Sequence, residues 1–206
     1  MEKTMILFIS GGVRSGKSHF AEQMAITLAG SSKQLHYVAT SHLYDDEMKR
    51  RIQKHKHDRN SSKYLWKTWE FQRDLSQLVK YISKQDVVLV DCLTTLVANE
   101  LFDSEIAFQQ QSVHDTVFSS IQELAQASHD LLLVSNEIFS SVNPYDDSTI
   151  HYMKELGKLH IKTVELADCA YVVENGIPLC KKSASALFSP DQHKAILNRR
   201  RSLPSI

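Results

Sequence analysis

The sequence predicts an α/β fold built on a mostly parallel sheet, and three observations carry that prediction. Short apolar runs alternate along the chain with longer stretches of helical periodicity. The runs at 5–10, 87–90 and 131–135 are apolar almost throughout, the pattern of strands covered on both faces. Near the end, Asn175-Gly176 separates two β-like runs. That dipeptide favours a tight hairpin and so adds one antiparallel edge strand.

The elements follow in order. A strand at 5–10 breaks into glycine, and a helix is expected over 17–28. A strand at 35–39 precedes a helix at 45–56 with Asp45, Asp46 and Glu47 in its first turn, where the helix dipole favours acids. A helix over 71–82 leads to the strand at 87–90, and a longer one over 106–127 leads to the strand at 131–135. The last helix, over 148–166, is followed by a strand at 171–173 and the edge strand at 177–182. Pro178 sits near the start of that edge strand, where a missing N–H costs least. Trp66 and Trp69 read as core or loop anchors, Asp168 as structural, and Glu137 as either a site acid or a helix cap.

Composition sets the bounds. A chain of 206 residues with 42% hydrophobic and 23% charged residues is ordinary for a globular protein with one sizeable core. Residues 1–182 read as a single domain. Residues 183–206 change character, with Pro190, Pro204 and an Arg199-Arg200-Arg201 cluster, and read as a basic tail, either a solvated terminus or a docking helix. Lys+Arg and Asp+Glu balance at 24 each, which argues against nucleic acid as the main partner. No apolar run approaches the roughly 20 residues of a membrane span. The N-terminus lacks the pattern of a signal peptide, and Cys92, Cys169 and Cys180 are scattered and odd in number. Free thiols in a reducing cytoplasm are the expectation.

The strongest local signal is Gly11-Gly12-Val13-Arg14-Ser15-Gly16-Lys17-Ser18, a G-x-x-x-x-G-K-S loop between a buried strand and a helix. Glycines permit close backbone approach, and successive N–H groups then form a concavity for phosphate oxygens. The helix N-terminus adds its positive dipole end. Lys17 reaches the terminal phosphates, and Ser18 offers a hydroxyl to Mg²⁺. Asp91, after a second buried strand, is the matching magnesium acid, or else a solvated strand end. This makes the fold a three-layer, P-loop NTPase-like one. A basic cluster of Arg50, Arg51, Lys54, His55, Lys56, His57 and Arg59 closes the second helix. Met48, Arg51 and His55 share one helical face. The cluster is either a solvated helix end or a cationic surface holding an imidazole able to attack phosphorus.

Beyond the loop, the chain resembles the bifunctional adenosylcobinamide kinase / adenosylcobinamide-phosphate guanylyltransferase family of cobalamin biosynthesis. The likeness runs from residue 5 to about 182 through "ATS" at 39–41, "DDEM" at 45–48, "RIQKH" at 51–55 and Arg59. It continues through "WKTWE" at 66–70, "DCLTTLVANEL" at 91–101, "SNEI" at 135–138 and the final "LADCAYVVENGIPLCKK". The resemblance implies phosphorylation of a corrinoid hydroxyl by ATP or GTP. It then implies transfer of GMP from GTP to the phosphorylated product, with Mg²⁺ as cofactor. His55 maps onto the family's guanylyl carrier, with Lys17 as the other catalytic group. The loop residues, Arg51, Arg59 and Glu70 are implied in nucleotide binding, and Ser18 and Asp91 in metal binding. A cytoplasmic homotrimer without nucleic acid or membrane partners is implied as well.

The chain departs from the family pattern in its C-terminal half. "FSSVNP" at 139–144 replaces G-x-G-I-V-P, so Phe139 stands where the pattern has glycine. In the following helix, Ile150, Met153 and Lys154 replace Arg, Arg and Asp, and His160 and Ile161 replace an Asn-Gln pair. Tyr152 and Gly157 are kept. Two alternatives therefore stand beside the bifunctional enzyme: another small-molecule P-loop kinase, and a non-catalytic nucleotide-binding protein.

Overall fold

A computed structural model describes residues 4–41, 64–102, 112–139 and 146–183. They form a seven-stranded sheet of β1 (Met5–Gly11), β2 (Leu35–Ala39), β3 (Trp66–Glu70), β4 (Val87–Asp91), β5 (Asp130–Asn136), β6 (Cys169–Glu174) and β7 (Ile177–Ser183). The helices are α1 (Lys17–Ala29), α2 (Leu93–Phe102), α3 (Val113–Ala127) and α4 (Asp147–Leu166), with a 3-10 helix at Leu75–Tyr81. Strand order is β3-β2-β4-β5-β1-β6-β7. All pairings are parallel except β6 with β7. The expected antiparallel edge strand is thus present, and Pro178 lies near its start.

Period-two alternation divides the apolar residues of the central strands between two cores. Leu7, Ile9, Leu89, Leu132, Val134 and Tyr171 pack with Phe20, Met24 and Ala25 of α1. Ile6, Phe8, Val88, Val90, Leu131 and Leu133 pack with Leu96 of α2, Ile121 and Leu124 of α3, and Leu156 and Leu159 of α4. The central strands are covered on both faces, which is why they read as continuous apolar runs.

Several boundaries differ from the sequence reading. β3 was not expected: Trp-Lys-Thr-Trp-Glu carries no apolar run because an edge strand leaves Lys67 and Glu70 exposed. Trp66 and Trp69 are the anchors expected, with Trp66 against Tyr37 and Trp69 against Tyr81. α2 was likewise not anticipated within the 91–101 stretch. The helix expected over 71–82 is instead the short 3-10 helix. Asp74 at φ 48 breaks the run, and Leu75 and Leu78 share one buried face at three-residue spacing. The helix expected from 106 begins at Val113, because Ser112 is extended and its carbonyl accepts from Thr116 N. The Ser112 hydroxyl donates to the Asp115 carboxylate, a side-chain pair across the first turn that does not cap the end amides. The helix expected over 45–56 and the basic tail at 184–206 lie outside the described residues.

Candidate active site

Every parallel strand ends at the same edge of the sheet, and the candidate groups collect there. β1 runs into the phosphate loop. At Gly11 the chain passes so close to β6 that an added Cβ would stand 2.4 Å from the Val173 carbonyl oxygen and 2.7 Å from Ser15 Oγ. Only glycine fits. Gly16, at φ 91, is in the left-handed region and turns the loop into α1. It has no side chain to cap the helix, and α1 has no acid in its first turn. The first amides of α1 are therefore left for an anion.

The loop is braced from two sides. Ser15 N donates to Gly12 O at 3.2 Å, and Gly176 N, at the tip of the β6–β7 hairpin, donates to Ser15 O at 2.7 Å. The Lys17 side chain is buried, and its Nζ donates to Gly12 O at 3.1 Å. This bond folds the ammonium over the loop where a phosphate oxygen could replace the carbonyl. Val13 and Arg14 are exposed and Ser18 is half-buried.

Asp91 ends β4, two strands from β1, so roughly 10 Å of sheet separates their backbones. Alternation after Val87 and Leu89 puts Asp91 on the α1 face, the face of the loop. Tyr37 OH donates to Asp91 Oδ2 at 3.0 Å. Among the described residues, no group of three or more His, Cys, Asp or Glu could hold a metal ion. A Ser18 hydroxyl and one Asp91 carboxylate are hard oxygen donors, and they suit a magnesium ion that takes its remaining ligands from nucleotide phosphates and water.

Next to Asp91, Cys92 is buried, and burial together with the Asp91 charge pushes its thiol pKa up. It is a buried free thiol, as expected. Cys169 is also buried and Cys180 exposed, and all three are free. Asp168 is structural as read: its Oδ2 accepts from Ile6 N at 3.0 Å. Glu137 bonds the turn after β5, its Oε1 accepting from Phe139 N at 2.7 Å. Its own amide donates to Gly11 O at 3.0 Å.

Among the described residues, Glu70 is not brought to the loop. Glu70 ends β3, on the same sheet edge but four strands from β1, about 19 Å away at ordinary strand spacing. It is exposed. His55, Arg51 and Arg59, with the rest of the basic cluster, lie outside the described residues.

Thr40, Thr94, Asn99, Asn136 and Tyr152 stood in the sequence motifs without a role, and the structure shows that they stitch this edge together. Thr40 Oγ1 donates to Cys92 O and accepts from Cys92 N, each at 2.8 Å. Asn99 Nδ2 donates to Thr40 O at 2.8 Å and to Gln72 O at 2.9 Å. Thr94 Oγ1 accepts from Asn136 N at 2.6 Å, and Tyr152 OH donates to Thr94 O at 3.0 Å. A usable signal existed for these, since each lies at a strand's C-terminal end or in the helix that follows it.

Comparison with known proteins bears on the whole arrangement. A family model described as cobinamide kinase / cobinamide phosphate guanyltransferase matches residues 7–181. The bifunctional adenosylcobalamin biosynthesis protein CobU of Salmonella typhimurium is 32% identical over 183 residues, covering 84% of this chain and 97% of that protein. CobU of Escherichia coli has the same identity and coverage. The bifunctional adenosylcobalamin biosynthesis protein CobP of Pseudomonas aeruginosa is 31% identical over 172 residues, 83% of this chain and 94% of its own length. Among solved structures, flagellar accessory protein FlaH from Methanocaldococcus jannaschii superposes with a TM-score of 0.52 at 15% identity. It covers 90% of this chain and 81% of that one, a likeness of fold alone.

Proposed function

The chain belongs to the cobinamide kinase / cobinamide phosphate guanyltransferase family, and from that premise we propose how its residues divide the two transfers. It is a bifunctional transferase of cobalamin biosynthesis, a cobinamide kinase and cobinamide phosphate guanylyltransferase. In the kinase reaction a hydroxyl oxygen of the corrinoid side chain bonds to the γ-phosphorus of ATP or GTP. The bond from that phosphorus to the bridging oxygen breaks, and the nucleoside diphosphate leaves.

The phosphate loop, Gly11 to Ser18, cradles the transferred phosphates with its backbone N–H groups and the α1 N-terminus. Lys17 exchanges its bond to Gly12 O for a phosphate oxygen and offsets the charge that develops there. Ser18 and Asp91 are the residues that would hold Mg²⁺, which neutralises phosphate charge when bound. Tyr37 fixes one oxygen of Asp91.

In the guanylyl transfer an imidazole nitrogen of His55 attacks the α-phosphorus of GTP, and pyrophosphate leaves. The phosphate oxygen of the phosphorylated corrinoid then displaces His55 from that phosphorus, which completes the transfer of GMP. Arg51, Arg59 and Glu70 complete the nucleotide contacts in this reading, Glu70 from the end of β3. A single domain over 1–182, a cytoplasmic location and a homotrimer belong to the same reading. No described helix is long and apolar enough to cross a membrane.

The observation that carries this reading is the meeting, at one sheet edge, of an uncapped helix N-terminus, the buried Lys17 and the Tyr37-held Asp91. The test is an intact mass after incubation with GTP and Mg²⁺. The wild type is expected to gain one GMP, and His55→Ala none. A wild type that binds GTP and gains no adduct would remove His55 as the carrier.

A further inference from the structure

We propose that His160, acting through Ser135 and Thr94, is a positioning residue for the phosphate loop. The proposal rests on the nucleotide site described above and extends it to residues outside that site.

At the end of β5, alternation sends successive side chains to opposite faces. Asn136 belongs to the α1 face, and Ser135 points the other way, toward α4. There Ser135 Oγ lies 2.7 Å from His160 Nε2 and 2.9 Å from Thr94 Oγ1. Thr94 Oγ1 in turn accepts from Asn136 N at 2.6 Å. The next amide, Glu137 N, donates to Gly11 O at 3.0 Å. Gly11 is the first residue of the loop. The chain of bonds therefore runs from α4, through α2 and β5, to the backbone that starts the phosphate cradle.

One proton arrangement satisfies every member. In it Thr94 accepts the Asn136 amide and gives its own proton to Ser135. The Ser135 proton then goes to Nε2 of a neutral His160. Ser135 is fully buried and Thr94 nearly so, and water cannot readily replace a missing partner. The imidazole is held edge-on between two rings, Phe8 at 5.1 Å and Phe139 at 5.6 Å between centroids. Burial holds its pKa near 4 against the opposing pull of the Glu137 carboxylate, so the ring is neutral at working pH.

The sequence supplies a second observation. His160 and Phe139 are two of the positions where the chain departs from the family pattern, which has asparagine and glycine there. In the fold the two replacements touch. They act as one unit, an aromatic pair that fixes the hydroxyl chain from a longer side chain than asparagine.

The test is the affinity for Mg²⁺-GTP, measured by titration calorimetry. His160→Leu and Ser135→Ala are each expected to weaken binding by about five- to tenfold, the scale of coupling within one hydrogen-bond network. The double variant is expected to bind no more weakly than the worse single one. His160→Gln, which restores an acceptor, is expected to return affinity to within about twofold of wild type. Ser135→Ala decides the matter alone should His160→Leu fail to fold. Lys17→Ala is the control for the site itself. Unchanged affinity in folded variants, with only the melting temperature lowered, would overturn the positioning role while Lys17→Ala still abolishes binding. Additive losses in the double variant would overturn the chain. A wild type that binds no GTP would overturn the site and this proposal together.

Discussion

Gly11 is the residue on which sheet and loop converge. A methyl group there would sit 2.4 Å from a backbone carbonyl that cannot turn aside. Gly11→Ala is expected to cost about 1–3 kcal/mol, as overpacking does, and to abolish GTP binding because β6 and the loop must separate. Thermal melts with and without GTP would read both effects. Asn99 has a different character. Its one amide group serves two backbone carbonyls, that of the buried Thr40 and that of the exposed Gln72. Asn99→Ala leaves the buried Thr40 carbonyl without this donor and is expected to cost about 1–3 kcal/mol, lowering the urea midpoint at unchanged slope. Gly11, Lys17 and Ser18 were legible because their chemistry depends on local spacing. The role of Asn99, though the residue stood in a family motif, was not, since its partners, Thr40 and Gln72, lie 59 and 27 residues away.

At the scale of elements, the β6–β7 hairpin is more than an edge. Asn175 at φ 46 and Gly176 at φ 79 both occupy the left-handed region, as their identities suggested. The turn they make aims the Gly176 amide at Ser15 O. Replacing both residues with alanine puts a new Cβ into that region at Gly176 and removes at Asn175 a side chain that tolerates it, at roughly 1 kcal/mol or more in total. The expected outcome is weaker GTP binding as well as a lower melting temperature, read by titration and by circular dichroism. An effect on melting alone would make the hairpin a bystander to the loop. α4 is tied down at both ends. Asp146 caps its start through Thr149 N, and Lys182 of β7 donates to Val164 O and Glu165 O at its end.

At the scale of the whole molecule, two imidazoles, the buried His36 and the half-buried His160, govern the response to acid. Burial lowers the pKa of His36 against the pull of Asp86, and burial lowers that of His160 to about 4. An unfolded histidine takes up a proton near pH 6.5, so between about pH 6.5 and 4 the unfolded chain binds protons that the folded one refuses. Stability is therefore full above pH 6.5 and falls as the pH drops toward 4, with His160 accounting for about 3 kcal/mol of the loss. Burial raises Glu155, but its bonds to His114 and Lys158 outweigh that and hold its pKa below the usual value. This carboxylate adds a further loss at lower pH. Urea titrations at pH 7, 5.5 and 4.5 should show the decline, and His160→Gln should flatten it. A level profile would contradict the burial of these rings as neutral groups.

What the sequence determined by itself was whatever neighbouring residues decide: the apolar runs, the G-x-x-x-x-G-K-S loop, the Asn-Gly hairpin and the ordered motifs that carry the family. What only the tertiary structure decided was which strand ends meet. β1 is flanked by β5 and β6, two strands far from it in the chain. That order brings Glu137 N to Gly11 O, Gly176 N to Ser15 O, and His160 to Ser135. β3 and α2 also waited for the fold, because an edge strand needs no apolar run and a short helix is stabilised by what it packs against. Hydrogen bonds between distant residues leave no periodicity in a sequence. Their donors and acceptors are ordinary polar residues until the sheet brings them within 3 Å of one another.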